Sequence, residues 1–153
     1  MQKKISYKKI GVEDLEFIEN LQEEHINEIN NIWTRRELND HIKKKTSFSR
    51  ISKHGKKIVG FSISLYSDNF MDVFLIFVAP KFRRRGIAQN FLEDIKKFCK
   101  LHLINKIILE VNEDNQAANI LYQKFGFKIV GKRKDYYFMN EKKSDAIVME
   151  LNL

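Results

Sequence analysis

The chain has 153 residues and carries 28 Lys and Arg against 20 Asp and Glu, a formal charge of +8. With 43% apolar residues, twelve Phe among its aromatics, residues 1–153 are expected to bury one core as a single domain rather than remain disordered. No apolar run reaches the ~20 residues of a bilayer span, and neither a secretion signal nor a disulfide is expected from Met1-Gln2-Lys3-Lys4-Ile5-Ser6 and the single Cys99, so the expected compartment is a reducing cytoplasm.

Alternation of Ile5, Tyr7 and Lys9 with Ser6 and Lys8 predicts a strand near 3–10. Val12, Leu15, Ile18 and Leu21, with Phe17 beside them, then recur at helical spacing. After a break through His25–Asn31, Thr34 reads as an N-cap with Glu37 completing a capping box, for a second helix near 35–45. Strands follow at 48–53, 57–65 and 71–78, separated by turns at His54-Gly55-Lys56 and Ser67-Asp68-Asn69. A helix starting near Arg85 aligns Phe91, Leu92, Ile95, Phe98, Cys99 and Leu103 on one stripe. Lys106–Val111 reads as a β-branched strand. Asp114 or Asn115 caps a helix to about Phe125, which Gly126 ends. Two last strands, 127–138 and 145–151, flank a polar loop at 140–144. The order β-α-α-β-β-β-α-β-α-β-β predicts an α/β fold: a mixed sheet with helices on both faces.

The scattered lysines read as solvated faces. Arg83, Arg84 and Arg85 differ, because they are contiguous at a predicted strand-to-helix junction, just after the chain's only proline, Pro80. A helix N-terminus offers unpaired N–H groups and about half a positive charge, and Gly86 lets an anion approach the backbone. Neither Gly-x-x-x-x-Gly-Lys-Ser/Thr nor Gly-x-Gly-x-x-Gly occurs. What remains is Arg83-x-x-Gly86-x-Ala88, a cradle for pyrophosphate. The four histidines lack metal-ligand spacing, so no metal is expected.

That junction resembles the acetyl-CoA loop of the GCN5-related N-acetyltransferase (GNAT) superfamily, written Gln/Arg-x-x-Gly-x-Gly/Ala. Residues Leu109-Glu110-Val111 through Asn115, Ala118, Leu121-Tyr122 and Gly126-Phe127 are similar to the superfamily's LEV…N…A…LY…GF block. With Asp135-Tyr136-Tyr137 and Asp145-Ala146-Ile147-Val148-Met149, the resemblance leans to the ribosomal-protein-alanine N-acetyltransferase (RimI-like) branch. It covers nearly the whole chain and is weakest across 23–60. Ala88 stands where many members have glycine, and Arg83 where close relatives carry glutamine.

The resemblance implies transfer of acetyl from acetyl-CoA to a primary amine. Backbone N–H groups of Arg84, Arg85, Gly86, Ile87, Ala88 and Gln89, with the Arg83 cation, are then expected to hold the pyrophosphate. Ile76, Phe77 and Val78 would present backbone groups to the pantetheine arm as if to another strand. Glu110 is the expected base, its strand setting expected to desolvate it, and Tyr122 the expected acid at the departing thiolate. Asn115 could bond the pantetheine, cap its helix, or both. Tyr136 and Tyr137 could contact the acceptor or serve only as packing. An α-amine, pKa ~8, is neutral far more often at pH 7 than a lysine amine, pKa ~10.4, which favours a protein N-terminus such as that of a ribosomal protein. A small amine (polyamine, aminoglycoside or amino acid) is the alternative acceptor, and no direct nucleic-acid or membrane binding is expected. Nothing in the chain distinguishes monomer from dimer.

Overall fold

Alternating side chains on β1 (Ile5–Lys9) put it at one edge of a seven-stranded sheet in the computed structural model, which describes residues 4–153. Lys3, the first residue of the expected strand, and Met1-Gln2 of the expected leaderless start lie outside the described residues. Val12–Asp14 form a single 3-10 turn, and the helix proper, α1 (Leu15–Glu24), starts later than the spacing predicts. Val12 and Phe17 are exposed, while Leu15, Ile18 and Leu21 form the buried stripe together with Gln22. The capping box at Thr34 and Glu37 forms on both arms and opens α2 (Arg35–Ile42), which stops three residues short of the expected end.

Then come β2 (Arg50–His54), β3 (Lys57–Tyr66) and β4 (Phe70–Val78), joined by short turns. Phe48 and Ser49 precede β2 rather than opening it. Helix α3 (Ile87–Leu101) begins two residues after Arg85. Leu103 is not on its stripe: the chain has left the helix, with φ 55 at Leu103 and the side chain 82% exposed. Ile104 takes the buried place beneath the helix instead.

After β5 (Lys106–Asn112), Asn115 rather than Asp114 caps α4 (Gln116–Phe125), its Oδ1 accepting from the Ala118 N–H at 3.2 Å. Strands β6 (Lys128–Met139) and β7 (Lys142–Asn152) leave only Asn140 and Glu141 between them, where a five-residue loop is expected. Both residues have positive φ (51° and 60°), the pattern of a two-residue turn whose twist matches a hairpin.

The sheet order is β1-β2-β3-β4-β5-β7-β6, and among these pairs β4 with β5 alone is parallel. Helices α1 and α2 bury Ile18 and Leu38 against Ile51, Phe61, Ile63 and Phe77 on one face. Helix α3 buries Leu92, Ile95 and Cys99 on the other, with Leu109, Tyr122 and Met149. Each fully buried Ile, Leu or Phe contributes about 1.5–3 kcal/mol, so these two layers fix the sheet between the helices. The mixed sheet with helices on both faces matches the order read from the sequence.

Two irregularities make the site. Pairing of β4 with β5 runs from Phe70/Lys106 only to Val73/Leu109, and beyond that the strands diverge. At the same level, β4 carries one extra residue: Ile63 pairs with Leu75 but Ser64 pairs with Val73, so Phe74 is a bulge. A β-bulge bends its strand and raises local twist, which carries the end of β4 away from β5.

Candidate active site

The diverging strands open a cleft lined by Phe74, Ile76, Glu110, Asn115, Tyr122 and Tyr137, with Asn30 and Asn31 from the α1–α2 connection on its rim. Backbone alternation decides which groups of β4 face it. The Ala79 N–H donates to Val59 O at 2.8 Å, so Ala79 and, two residues back, Phe77 turn their backbone to β3. Ile76 and Val78 therefore turn theirs to the gap. Of the three residues expected to present backbone groups there, Phe77 does not, because in this alternation its N–H and C=O point to β3.

Below the gap lies the arginine turn. Arg84 has φ 62 and Gly86 φ 78, so the chain turns tightly into the start of α3, where the first N–H groups have no intrahelical acceptor. Among the described residues, no backbone or side-chain acceptor pairs with the N–H groups from Arg84 to Gln89; the first intrahelical bond is Asn90 N–H to Gly86 O at 2.9 Å. A Cβ built on Gly86 meets no atom within 4 Å, so the turn is open rather than plugged by its own side chains. Six adjacent free donors at a helix start fit a diphosphate.

The three arginines divide their work. Arg83 turns inward, its Nε donating to Val78 O at 2.9 Å and its guanidinium reaching Glu28 at 3.2 Å. It braces the strand exit against the α1–α2 connection, so it is not the free cation expected from the sequence. Arg85 lies over the Phe82 ring at 5.0 Å, and Arg84 is exposed on the turn.

Across the cleft, Tyr122 is 7% exposed, its hydroxyl has no hydrogen-bond partner among the described residues, and burial pushes its phenol up to about 12. Tyr137 is also buried and pushed up, by burial first and then by the Glu110 charge. Tyr136 is half exposed and raised chiefly by the Glu110 carboxylate beside it. Glu110 is not isolated among apolar groups as its strand suggests. Its Oε1 accepts from Arg133 Nε at 2.6 Å, and its side chain is 26% exposed. Asn115 spends its Oδ1 on the cap of α4 and keeps its Nδ2 for the cleft, so the two expected roles are compatible.

Arg133, Asp72 and Phe74 complete the site and have no motif to mark them. Asp72 sits opposite Ile108, so Glu110 is the next residue of β5 on its face; burial and then Glu110 raise its carboxyl. The one sequence signal for it is a carboxylate at the head of the apolar run Val73–Val78. Phe74, thrown outward by the bulge, packs edge-on with Trp33 and His41 at 6.0 Å each. Among the described residues no group of His, Cys, Asp or Glu has metal-binding geometry, and no helix is long and apolar enough to cross a membrane.

Residues 17–141 match the Acetyltransferase (GNAT) domain family. The Escherichia coli ribosomal protein bS18-alanine N-acetyltransferase is 29% identical over 102 residues, covering 67% of this chain and 68% of that protein. A crystal structure of the E. coli ribosomal-protein-alanine N-acetyltransferase superposes with a TM-score of 0.87 at 21% identity, over 97% of this chain and 94% of that one. Arabidopsis thaliana NAA60 in complex with acetyl-CoA superposes with a TM-score of 0.83 at 17% identity, over 98% and 99% of the two chains.

Proposed function

The chain belongs to the GNAT acetyltransferase family and is an acetyl-transferring enzyme, and from that premise we propose that it acetylates the α-amine of a protein N-terminus, that of a ribosomal protein being the leading candidate. The observation that carries this reading is the alignment of six free N–H groups at the start of α3 with the unpaired edge of β4, ending at a cleft between Glu110 and Tyr122.

Acetyl-CoA supplies the activated acetyl thioester. The turn from Arg84 to Gln89 holds the diphosphate, and hydrogen bonds to charged groups contribute about 1.5–3 kcal/mol each. Ile76 and Val78 offer backbone groups to the pantetheine arm, and Asn115 Nδ2 adds a donor across the gap. Glu110 accepts the proton that the acceptor's ammonium must lose, directly or through water, leaving a nitrogen lone pair to form the C–N bond as the C–S bond breaks. Tyr122 sits across the cleft for the departing thiolate. Its burial keeps the phenol protonated, so it stabilises developing sulfur charge by a hydrogen bond and passes the proton as CoA leaves.

An α-amine suits this machinery because about a tenth of it is already neutral at pH 7, whereas a lysine amine is neutral below about one part in a thousand. One half-exposed carboxylate is then base enough. Cys99 lies buried on α3, its thiol pushed up to about 11, so it takes no part and suits a reducing cytoplasm.

The test is CoA release from acetyl-CoA with a lysine-free peptide beginning with Ala, beside spermidine and free alanine as small amines. Turnover with the peptide and none with the small amines is expected. Faster turnover with a small amine overturns the N-terminal assignment.

A further inference from the structure

Glu110 reaches its partner across an intervening strand. On β7, Val148 faces Glu110 and Ala146 faces both Asn112 and Arg133, so β7 separates β5 from β6. Arg133 and Glu110 lie on the same sheet face, and the small Ala146 lets the arginine lie back over β7. Nε then donates to Oε1 at 2.6 Å, and the Tyr136 phenol stands beside the same carboxylate. Arg133 is itself positioned: its guanidinium lies 5.7 Å from the Tyr136 ring. Immediately after Arg133, three residues of β6 (Lys134–Tyr136) stand against the single Asp145 of β7, with Asp135 at φ 53 and its N–H on Asp145 Oδ1 at 2.8 Å. This arch brings Tyr136 beside Glu110.

We infer that Arg133 is a positioning residue for the acceptor amine's proton transfer: it pins one oxygen of Glu110, aims the other into the cleft, and sets the cleft's charge. The inference rests on Glu110 being the base. The charged and titratable groups around Glu110 are Asp72 on β4, Arg133, Tyr136 and Tyr137 on β6, and Tyr122 on α4. On β7, Val148 faces it directly, and Glu150, two residues along on the same face, is paired with Lys106 at 3.4 Å; Asn30 and Asn31 of the α1–α2 connection are uncharged. Two carboxylates and one guanidinium leave one negative charge, which matches a single acceptor ammonium. Without Arg133 the two carboxylates repel each other and the base is free to rotate.

A surface ion pair contributes little to stability, so a substitution here is expected to leave the fold intact. The experiment compares Arg133→Gln, Arg133→Lys and Glu110→Gln, using acetyl-CoA and the lysine-free peptide beginning with Ala. In Arg133→Gln, kcat is expected to fall about tenfold or more, because a misaimed base loses orientation. KM for the cationic peptide should not rise, since the cleft has become more negative. The acid limb of the kcat profile should move to higher pH, because no guanidinium opposes protonation of the carboxylates. Arg133→Lys should restore the pH profile but not the full kcat, a point charge replacing a planar fork. Independently of turnover, the Arg133 Nε–H proton resonance should stand downfield in the unliganded protein and lose that shift in Glu110→Gln.

A wild-type kcat and pH profile in Arg133→Gln, with Glu110→Gln defective, overturns the inference and leaves Glu110 as base. A wild-type rate in Glu110→Gln overturns the base itself. A raised peptide KM in a folded Arg133→Gln overturns the charge argument. Should that variant melt early, the Arg133→Lys profile and the Nε–H shift decide alone.

Discussion

Val73 and Leu109 are the last residues to pair between the two parallel strands, and the bulge at Phe74 begins at the next position. Above that pair no strand partners β4 on the side away from β3, which leaves the N–H groups of Ile76 and Val78 free, while Val78 O is taken by Arg83 Nε.

That asymmetry separates two neighbouring substitutions. Ile76→Pro deletes an N–H that no strand uses, so the protein is expected to fold while its affinity for acetyl-CoA drops. Phe77→Pro deletes an N–H in the β3 ladder and should destabilise the sheet by about 1–3 kcal/mol, the cost of a buried carbonyl left without its donor. Thermal melts with calorimetric titration of CoA read both, and equal melting temperatures would contradict the strand alternation.

Gly86→Ala places a methyl group in the open turn. Its positive φ costs an L-residue about 1–2 kcal/mol, with no steric clash behind it. The melting temperature should fall by a few degrees while CoA affinity falls tenfold or more. Unchanged affinity would mean that the diphosphate lies elsewhere.

Tyr122→Phe should lower kcat by about 10²-fold and leave the Kd for acetyl-CoA within twofold. With the wild-type phenol pushed up to about 12, its active protonated form persists as pH rises, so kcat should show no alkaline loss from it up to pH ~10. Tyr137→Phe is the control. If it reproduces the whole effect and Tyr122→Phe does not, the thiolate meets the other phenol.

His41 predicts an acid sensitivity. Burial lowers its folded value below 6.5, with Lys44 adding to the shift and the Ser64 carbonyl opposing it. Between that lowered value and 6.5 the unfolded chain binds a proton that the native ring resists, so stability is complete above 6.5 and declines as pH falls. Urea unfolding at pH 7.5 and pH 5.5 should show the loss. Because His41 packs on Phe74 and Trp33, His41→Gln should remove that pH dependence while loosening the cleft wall.

Much of this protein is written locally. The Thr34 capping box and the Asn115 cap rest on side chains within a few residues of the backbone they satisfy, and the Gly86 junction on the freedom of glycine to take a positive φ, so reading along the chain finds them. Errors of element length share one cause. Leu103 continues the helical spacing of α3, yet Ile104 is the residue that the core buries, and the chain turns before Leu103 to bring it there. The polar stretch 140–144 reads as loop, yet pairing with β6 extends β7 back to Lys142.

The arginine turn was legible from sequence because helix starts, caps and left-handed glycines act over a few bonds, and the LEV…LY block carried the resemblance that implied acetyl transfer. Tertiary structure alone decided that Arg83 braces Val78, that Phe77 faces away from the gap, and that Arg133 holds Glu110. Each of these depends on which strands become neighbours, and the insertion of β7 between β5 and β6 is set by burial of the whole sheet rather than by any short run of residues.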